Sequence, residues 1–215
     1  MPRPRHDSEV LPAKQRLENS FWSLLQDEDF TKITVTEVVR DAQVNRNSFY
    51  YHFSGLPELA DSAIMHEVER TPDLGWTHDG TDPIMGWRHY VTYVLADPEQ
   101  RQRIERLSML TGQHGCTDLT DSLHDFMLLN LMSLADLDMQ TATTKQRLIV
   151  DFLVSGMIGI LRNWPQLADT LTPQDLMDDD MAILMVGLNL SLTNDTAMPY
   201  WDTVFTMGEV PGRSR

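Results

Sequence analysis

The sequence predicts an all-α protein in which a helix-turn-helix near the N-terminus precedes a larger helical body. Three observations support this fold class. Apolar residues recur three or four positions apart through most of the 215-residue chain, which is the spacing of one helix face. Helix start signals such as Thr-x-x-Glu and Thr-Pro precede several of these segments. Residues 33–53 have the pattern of two short helices joined by a tight turn.

The first predicted helix covers about residues 12–26. Its apolar side chains should form one buried face, which consists of Leu17, Phe21, Leu24 and Leu25. Phe30 and Ile33 follow this helix, and we expect them to close the apolar face against the helix-turn-helix.

The first helix of the motif should begin at Thr34, because Thr34 and Glu37 have the spacing of a capping box. The apolar residues of this helix recur at helical spacing, and they are Val35, Val38, Val39 and Ala42. The helix is short, which is typical of the first helix of such a motif.

The second helix of the motif follows a turn at residues 43–45 and has an apolar and a polar side. Asn45 can cap it, and Phe49 and Phe53, four residues apart, should pack inward near Val44. The side chains left to face outward or sideways are Arg46, Asn47, Ser48, Tyr50, Tyr51 and His52. Arg and Asn make paired hydrogen bonds to guanine and adenine edges, whereas Ser and Tyr hydroxyls suit phosphate oxygens. The set predicts a helix that binds the major groove of DNA, against the alternative of a short solvated surface helix.

This stretch resembles the DNA-binding domain of the TetR (tetracycline repressor)/AcrR family of bacterial transcription regulators. The likeness covers about residues 12–69 and rests most on the run Phe49-Tyr50-Tyr51-His52-Phe53, with the segment 54–59 opening a fourth helix. It implies an N-terminal three-helix helix-turn-helix DNA-binding domain and a C-terminal helical ligand-binding and dimerisation domain. We therefore expect a DNA-binding domain in residues 1–70, an effector-binding and dimerisation domain in residues 71–198, and a tail in residues 199–215.

The resemblance also implies roles for single residues. Thr36 matches a family position on the supporting helix that often touches DNA. Asn45, Arg46 and Asn47 match positions that face the bases. Ser48, Tyr50 and His52 match positions that commonly meet the phosphate backbone. Tyr51 matches a variable position that can face either bases or backbone.

Two positions depart from the family pattern. The turn usually carries Gly before the Val, and Gln43 stands there instead, so the turn must avoid or tolerate a left-handed conformation. The fourth helix usually begins with a Lys that meets a phosphate. Leu56 and Pro57 stand at that place, so one backbone contact is missing or is made by the uncharged helix N-terminus.

The formal net charge of −15 argues against indiscriminate binding to nucleic acid. Residues 1–56 carry a net charge of −1 and residues 57–215 carry −14, so the acidity lies almost wholly outside the helix-turn-helix. An acidic body repels DNA, and we therefore expect a strong effect of salt on affinity. A basic arm and first helix can offset the repulsion through Arg3, Arg5, Lys14 and Arg16, unless Arg3 and Arg5 belong to a disordered start.

The remaining segments are also predicted to be helical. A fourth helix covers residues 57–70, with Ala60, Ile64 and Val68 on one face, and a polar joint follows at residues 71–82. Further helices are expected at about residues 83–97, 98–112, 117–137, 144–163 and 172–192. The last of these should begin at a Thr cap that is followed by Pro.

The last two long helices predict a homodimer. Residues 148–161 are apolar on nearly every side, and residues 181–188 of the final helix are apolar throughout. A soluble helix without a polar face must be covered all round, and a two-fold partner would supply the cover. The alternative is that both helices lie in the core of one chain. Family members dimerise through their last two helices, and the predicted interface residues here are Phe152, Gly156, Gly159, Ile160, Met181, Met185 and Leu188.

The resemblance further implies a small-molecule pocket among the middle helices, whose occupancy changes the spacing of the two recognition helices. Side chains suited to such an adaptable apolar site are Trp87, Tyr90, Met109, Phe126, Met127 and Met132. The alternative for each of them is an ordinary core position. The sequence identifies no effector.

The sequence contains no pattern for catalysis. His114, Cys116, Asp118 and His124 match no zinc-binding spacing, and there is no nucleophile elbow, phosphate-binding loop or dinucleotide fingerprint. We therefore predict a protein that is not an enzyme and has no cofactor and no metal. The longest apolar run, residues 148–161, has 14 residues and is too short for a membrane span, and no signal-peptide core is present. With a single cysteine, these features favour a cytoplasmic protein.

Two functional hypotheses follow. The first is a transcriptional regulator, most often a repressor in such a family, that binds a near-palindromic DNA operator as a homodimer. The second is a helical protein-interaction adaptor or co-activator that has lost DNA or effector binding. The departures at Gln43 and at the start of the fourth helix would suit the second hypothesis.

Overall fold

The protein is described by a computed structural model in which residues 11–70 and 83–193 are placed. These residues form ten α-helices and no strand, which confirms the predicted all-α class. The helices are α1 Ala13–Asp27, α2 Val35–Asp41, α3 Arg46–His52, α4 Leu56–Glu69, α5 Pro83–Ala96, α6 Pro98–Met109, α7 Thr117–Leu134, α8 Thr144–Leu167, α9 Pro173–Met177 and α10 Asp179–Thr193. The predicted basic arm, the joint at 71–82 and the tail at 199–215 lie outside the described residues.

The first four helices pack around a shared apolar core. Leu17, Phe21 and Leu25 of α1 are fully or almost fully buried, as the spacing of its apolar residues predicts. The same core takes in Ile33 and Val38 from the beginning of the helix-turn-helix. Burial of these side chains supplies the main driving force that holds the short helices α2 and α3, since helices of seven residues are not stable alone.

The core continues from the N-terminal helices into the helical body. Leu107 of α6 and Leu119 and Leu123 of α7 belong to the same buried cluster as α1 and α4. One apolar core therefore includes residues from both sides of position 70. The boundary between two domains at residue 70 remains a prediction. Because protein cores are closely packed, a shift of α6 or α7 would be transmitted to α4.

Two further apolar clusters complete the body. One joins α7 and α8 through Leu131, Val150 and Val154, and the other joins α5 to α9 and α10 through Trp87 and Ala182. The Trp87 indole Nε1–H also donates to the carbonyl oxygen of Leu176 at 2.7 Å. Arg88 of α5 forms an ion pair with Asp179 at the first turn of α10.

Several helix ends differ from the predicted ones. The helix α7 ends at Leu134 because Asp136 takes a left-handed conformation (φ 54°), and the Leu137 N–H bonds back to the carbonyl oxygen of Met132 at 2.9 Å. The helix α8 continues to Leu167, past the predicted end at residue 163.

The predicted last helix is divided into α9 and α10. Asp178 between them is extended (φ −59°, ψ 148°), which interrupts the helical hydrogen bonds. Asp179 and Asp180 then occupy the first turn of α10, where negative side chains are favoured by the helix dipole. All three carboxylates are exposed.

The helix α8 is long and apolar enough to cross a membrane by length and composition, and it is the one such helix in the part of the chain that is described. Its 24 residues exceed the apolar run at 148–161, which Asp151 and Ser155 interrupt, because the helix extends beyond that run at both ends. Buried helices of soluble proteins have the same composition. Here Val150, Val154 and Trp164 point into the protein, whereas Leu148 and Phe152 are exposed.

Candidate nucleic-acid interface

The first helix of the motif begins with the predicted capping box. The Thr34 hydroxyl accepts from the Glu37 backbone N–H at 3.3 Å, and the Glu37 carboxylate accepts from the Thr34 N–H at 2.9 Å and from its hydroxyl at 2.6 Å. These bonds, the hydroxyl first and the backbone N–H second, lower the pKa of Glu37 below its ordinary value. Thr36 is exposed in the first turn of α2, where the prediction placed a DNA contact.

The turn after α2 has a left-handed residue that is not glycine. Gln43 has φ 52°, so the turn tolerates the conformation that Gly would adopt more easily. The Gln43 N–H bonds to the Arg40 carbonyl oxygen at 3.2 Å, and the Val44 N–H bonds to the Val39 carbonyl oxygen at 3.0 Å. This pair of bonds is a Schellman motif, and it turns the chain so that Val44 packs against the core.

The second helix of the motif, α3, is capped and anchored as predicted. The side-chain oxygen Oδ1 of Asn45 accepts from the Ser48 backbone N–H at 2.7 Å. Phe49 is fully buried and Phe53 almost fully buried. A helix fixed at both its cap and its apolar face presents its opposite face in one orientation.

That opposite face is polar and exposed. Arg46 and Asn47 are exposed, as are Tyr50 (51%) and Tyr51 (83%), while Ser48 and His52 are half-buried at the edge of the helix. The Arg46 guanidinium lies over the Tyr50 ring at 5.8 Å from its centre. The structure therefore brings the predicted contact residues of α3 together on one surface.

The start of α4 differs from a typical phosphate-binding helix end. Gly55 provides no side-chain cap, and Leu56 and Pro57 stand at the first positions. The Glu58 carboxylate accepts from the Ser54 N–H at 2.7 Å and from its hydroxyl at 2.6 Å, and these bonds lower the pKa of Glu58. A carboxylate in this first turn opposes the approach of a phosphate.

The helical arrangement is similar to that of solved regulator structures. The fatty acid degradation regulator FadR from Bacillus halodurans matches with 14% identity and a TM-score of 0.51, covering 88% of this chain and 99% of that chain. Salmonella enterica GusR matches with 14% identity and a TM-score of 0.51, covering 87% of this chain and 98% of that chain. A TetR-family transcriptional regulator from Streptomyces coelicolor matches with 15% identity and a TM-score of 0.49, covering 90% and 98%. The chain therefore shares its fold with the FadR and GusR structures.

No family profile matches the sequence, and no curated protein matches it. Identities of 14% to the solved structures establish a shared fold alone.

Within this fold, the six residues predicted to line an effector pocket lie in different clusters. Trp87 and Tyr90 stack on each other in the cluster of α5, α9 and α10. The other four divide between the core shared with the N-terminal helices and the cluster of α7 and α8, and they are Met109, Phe126, Met127 and Met132. Burial raises the pKa of the Tyr90 phenol. The pocket remains a prediction.

A small polar cleft lies instead between α1, α4 and α6. Glu18 and Glu67 are buried there, and each contacts side chains of another helix. Glu67 pairs with Arg106 of α6, and Glu18 accepts from the Ser62 hydroxyl at 2.8 Å and contacts His66 Nδ1 at 3.0 Å. None of the six predicted pocket residues lines this cleft.

The residues predicted for the dimer interface are only partly exposed. Phe152 (64%) and Ile160 (53%) lie uncovered on α8, together with Gly156. Gly159 on α8 and the three residues of α10 are half-buried, and those three are Met181, Met185 and Leu188. Sequence reasoning missed Leu148 and Leu184, which are also exposed, because an apolar run does not show which side of the helix is covered.

The histidines and the cysteine considered for metal binding are separated by other contacts. His114 Nδ1 contacts the Asp29 carboxylate at 2.9 Å, and His124 Nε2 contacts Asp151 at 3.3 Å. Among the described residues, no group of three His, Cys, Asp or Glu side chains could hold a metal ion. These pairs hold loops and helices together.

Proposed function

We propose that this protein is a DNA-binding transcriptional regulator that binds a near-palindromic operator as a homodimer. The observation that carries the proposal is the exposed polar face of α3, held in one orientation by the Asn45 cap and by buried Phe49 and Phe53. The TetR-type fold supports the same function, because helix-turn-helix proteins insert the second helix of this motif into the major groove. Repression is the expected direction of regulation.

The structure refines the expected role of each α3 residue. Arg46 and Asn47 have exposed side chains suited to hydrogen bonds with guanine and adenine edges. Asn45 Oδ1 accepts from the Ser48 N–H in the cap, and we assign the Asn45 amide NH2 group as the donor to DNA. We assign Tyr50 to the phosphate backbone, and Tyr51 is 83% exposed beside it.

The half-buried residues and the supporting helix complete the proposed contact surface. Ser48 and His52 lie at the edge of α3, where phosphate oxygens would pass. Thr36 is exposed in the first turn of α2, and we assign it a contact with the backbone on the other side of the groove.

The decisive experiment measures binding to the DNA that flanks the protein's own gene. We expect wild-type protein to shift one such fragment at concentrations where a scrambled fragment of equal length stays free. Arg46→Ala should weaken specific binding by about 1–3 kcal/mol and leave the dimer intact. Lys145→Ala removes the same charge from α8 and should leave affinity unchanged. Equal affinity of wild type and Arg46→Ala would refute the base-contact assignment.

We further propose that two copies associate through the exposed face of α8. Leu148, Phe152, Gly156 and Ile160 recur every four residues and form one apolar stripe. A C2 dimer would cover this stripe on both copies and place two recognition helices on two half-sites.

Control by a small-molecule effector and a cytoplasmic location are parts of the same proposal. The effector would bind among the middle helices and change the spacing of the recognition helices. A thermal-shift screen of apolar metabolites followed by the DNA assay would test this, since an effector must change operator affinity as well as stability.

One observation favours a second function, that of a protein-interaction adaptor or co-activator without DNA binding. Glu58 occupies the first turn of α4, where its negative charge opposes a phosphate contact. The same DNA-binding experiment separates the two functions, because an adaptor would bind no fragment at any accessible concentration.

A further inference from the structure

Two side chains of α1 donate hydrogen bonds to the carbonyl groups at the end of α2. Arg16 Nη1 lies 3.1 Å from the carbonyl oxygen of Ala42 and 3.1 Å from that of Gln43. The Ser20 hydroxyl, one turn along α1, donates to the carbonyl oxygen of Val38 at 3.1 Å. Arg16 Nε is buried and has no hydrogen-bond partner within the described part of the protein, and Arg16 as a whole is half-buried.

These bonds act on the least favourable backbone conformation of the motif. Gln43 is left-handed, a conformation that costs free energy for any residue with a side chain beyond Cα. The last carbonyl groups of a helix also lack partners within the helix. Arg16 supplies a charged donor to two carbonyl groups there, and charged donors make the stronger hydrogen bonds.

The conformation of Gln43 determines how α3 leaves α2. Only Val44 and Asn45 separate Gln43 from Arg46, the first residue of α3. A change in the Gln43 dihedral angles would therefore rotate Arg46 relative to Thr36 of α2, and both have to meet one DNA surface. We propose that Arg16 is a positioning residue, which holds Gln43 left-handed and thereby fixes the orientation of the recognition helix.

This inference rests on the proposed DNA-binding function, and it differs from the simpler role of Arg16 as a phosphate contact. A phosphate contact contributes equally to all DNA sequences, and its removal reduces the salt dependence of binding by about one ion. A positioning residue affects specific binding most, and its removal leaves the salt dependence unchanged. The structure favours positioning because the guanidinium already bonds to two carbonyl groups of the protein.

The test combines Arg16→Met with Gln43→Gly, because Gly adopts the left-handed conformation without assistance. We expect Arg16→Met to lower specific affinity about tenfold, in keeping with the loss of a charged hydrogen bond, and to change non-specific affinity little. In the Gln43→Gly background, Arg16→Met should lower specific affinity much less. Lys145→Met, which removes an exposed charge from α8, away from the proposed DNA surface, is the matched control and should bind like wild type.

Three results would overturn the proposal: an unchanged ratio of specific to non-specific affinity, an equal loss in both Gln43 backgrounds, or a reduced salt dependence in Arg16→Met. Amide hydrogen exchange provides a measurement that is independent of DNA. Exchange at the Val44 N–H should be faster in Arg16→Met and return towards wild type in Arg16→Met/Gln43→Gly. If wild type binds no specific DNA, the proposed function fails, and unchanged exchange at Val44 would separately refute the action of Arg16 on the turn.

Discussion

Replacement of Phe152 by Glu should dissociate the proposed dimer. Phe152 is 64% exposed on α8, and a Phe side chain has about 200 Å² of surface, so roughly 130 Å² is available for burial by a partner. At about 25 cal/mol per Å², full burial is worth about 3 kcal/mol for each copy and about 6 kcal/mol for a symmetric dimer. A loss of this size corresponds to about four orders of magnitude in the dissociation constant. Incomplete coverage would reduce the effect, whereas the buried charge of Glu would increase it.

Sedimentation equilibrium across a wide range of protein concentration measures this change directly. Met65→Glu places the same charge on an exposed apolar position of α4 and serves as the control, so its dissociation constant should match that of wild type. Circular dichroism checks that both variants keep their helices. An unchanged dissociation constant in Phe152→Glu, or a monomeric wild type at micromolar concentration, would refute the proposed interface.

A substitution at Gly156 should have opposite effects on the stability of one protomer and on the stability of the dimer. A Cβ added at Gly156 meets no other atom within 4 Å in one protomer, and Ala is favoured over Gly in a helix by about 1 kcal/mol. Gly156→Ala should therefore stabilise the folded protomer. If two copies approach closely at this residue, the same substitution should raise the dissociation constant of the dimer. A lowered dissociation constant would show that the close contact lies elsewhere.

Three further predictions concern the motif and the cleft beside it. Tyr50→Phe should weaken binding to all DNA sequences alike in the gel-shift assay, and a loss confined to one base pair would contradict its phosphate role. Folding lowers the pKa of Glu37 below its ordinary value of 4.5. The contribution of the Glu37 carboxylate to stability is therefore complete at pH values above 4.5, and it is lost as pH falls through the pKa of the folded state. Wild type should therefore melt at a higher temperature than Glu37→Gln at neutral pH, with a difference that narrows in acid; a constant difference would exclude the Thr34 bonds as its cause. Arg106→Met should lower the unfolding free energy by about 3 kcal/mol, because Glu67 is left buried without its closest cation, and Arg106→Met/Glu67→Gln should recover most of that loss in urea titrations.

The helix-turn-helix was predictable because its signals are local. The Thr34 capping box, the Asn45 cap and the Phe49 and Phe53 pair each depend on residues within four positions of one another, and the structure confirms each of them. Short-range hydrogen bonds and i, i+4 packing can be inferred from sequence spacing alone.

The predicted effector pocket has no such local signals. A Met or aromatic residue at helical spacing indicates a buried face, but it does not show which helix covers that face. Trp87 and Met132 carry the same sequence signal and lie in different clusters. The break at Asp178 was missed for a related reason, since Thr172-Pro173 marks a helix start and contains no information about where the helix ends.

The contacts of Arg16 could not be predicted because they join residues that lie far apart in the sequence. In the sequence Arg16 is one of several basic residues near the N-terminus, and its charge favours a contact with DNA. In the fold its guanidinium lies against Ala42 and Gln43, 26 and 27 residues away, because α1 crosses the end of α2. The left-handed Gln43 and the half-buried Arg16 are thus two parts of one arrangement, in which a residue unsuited to the turn is held there by a donor from another helix. Only the packing of α1 on α2 reveals that connection, and it makes the orientation of α3 depend on a residue outside the motif.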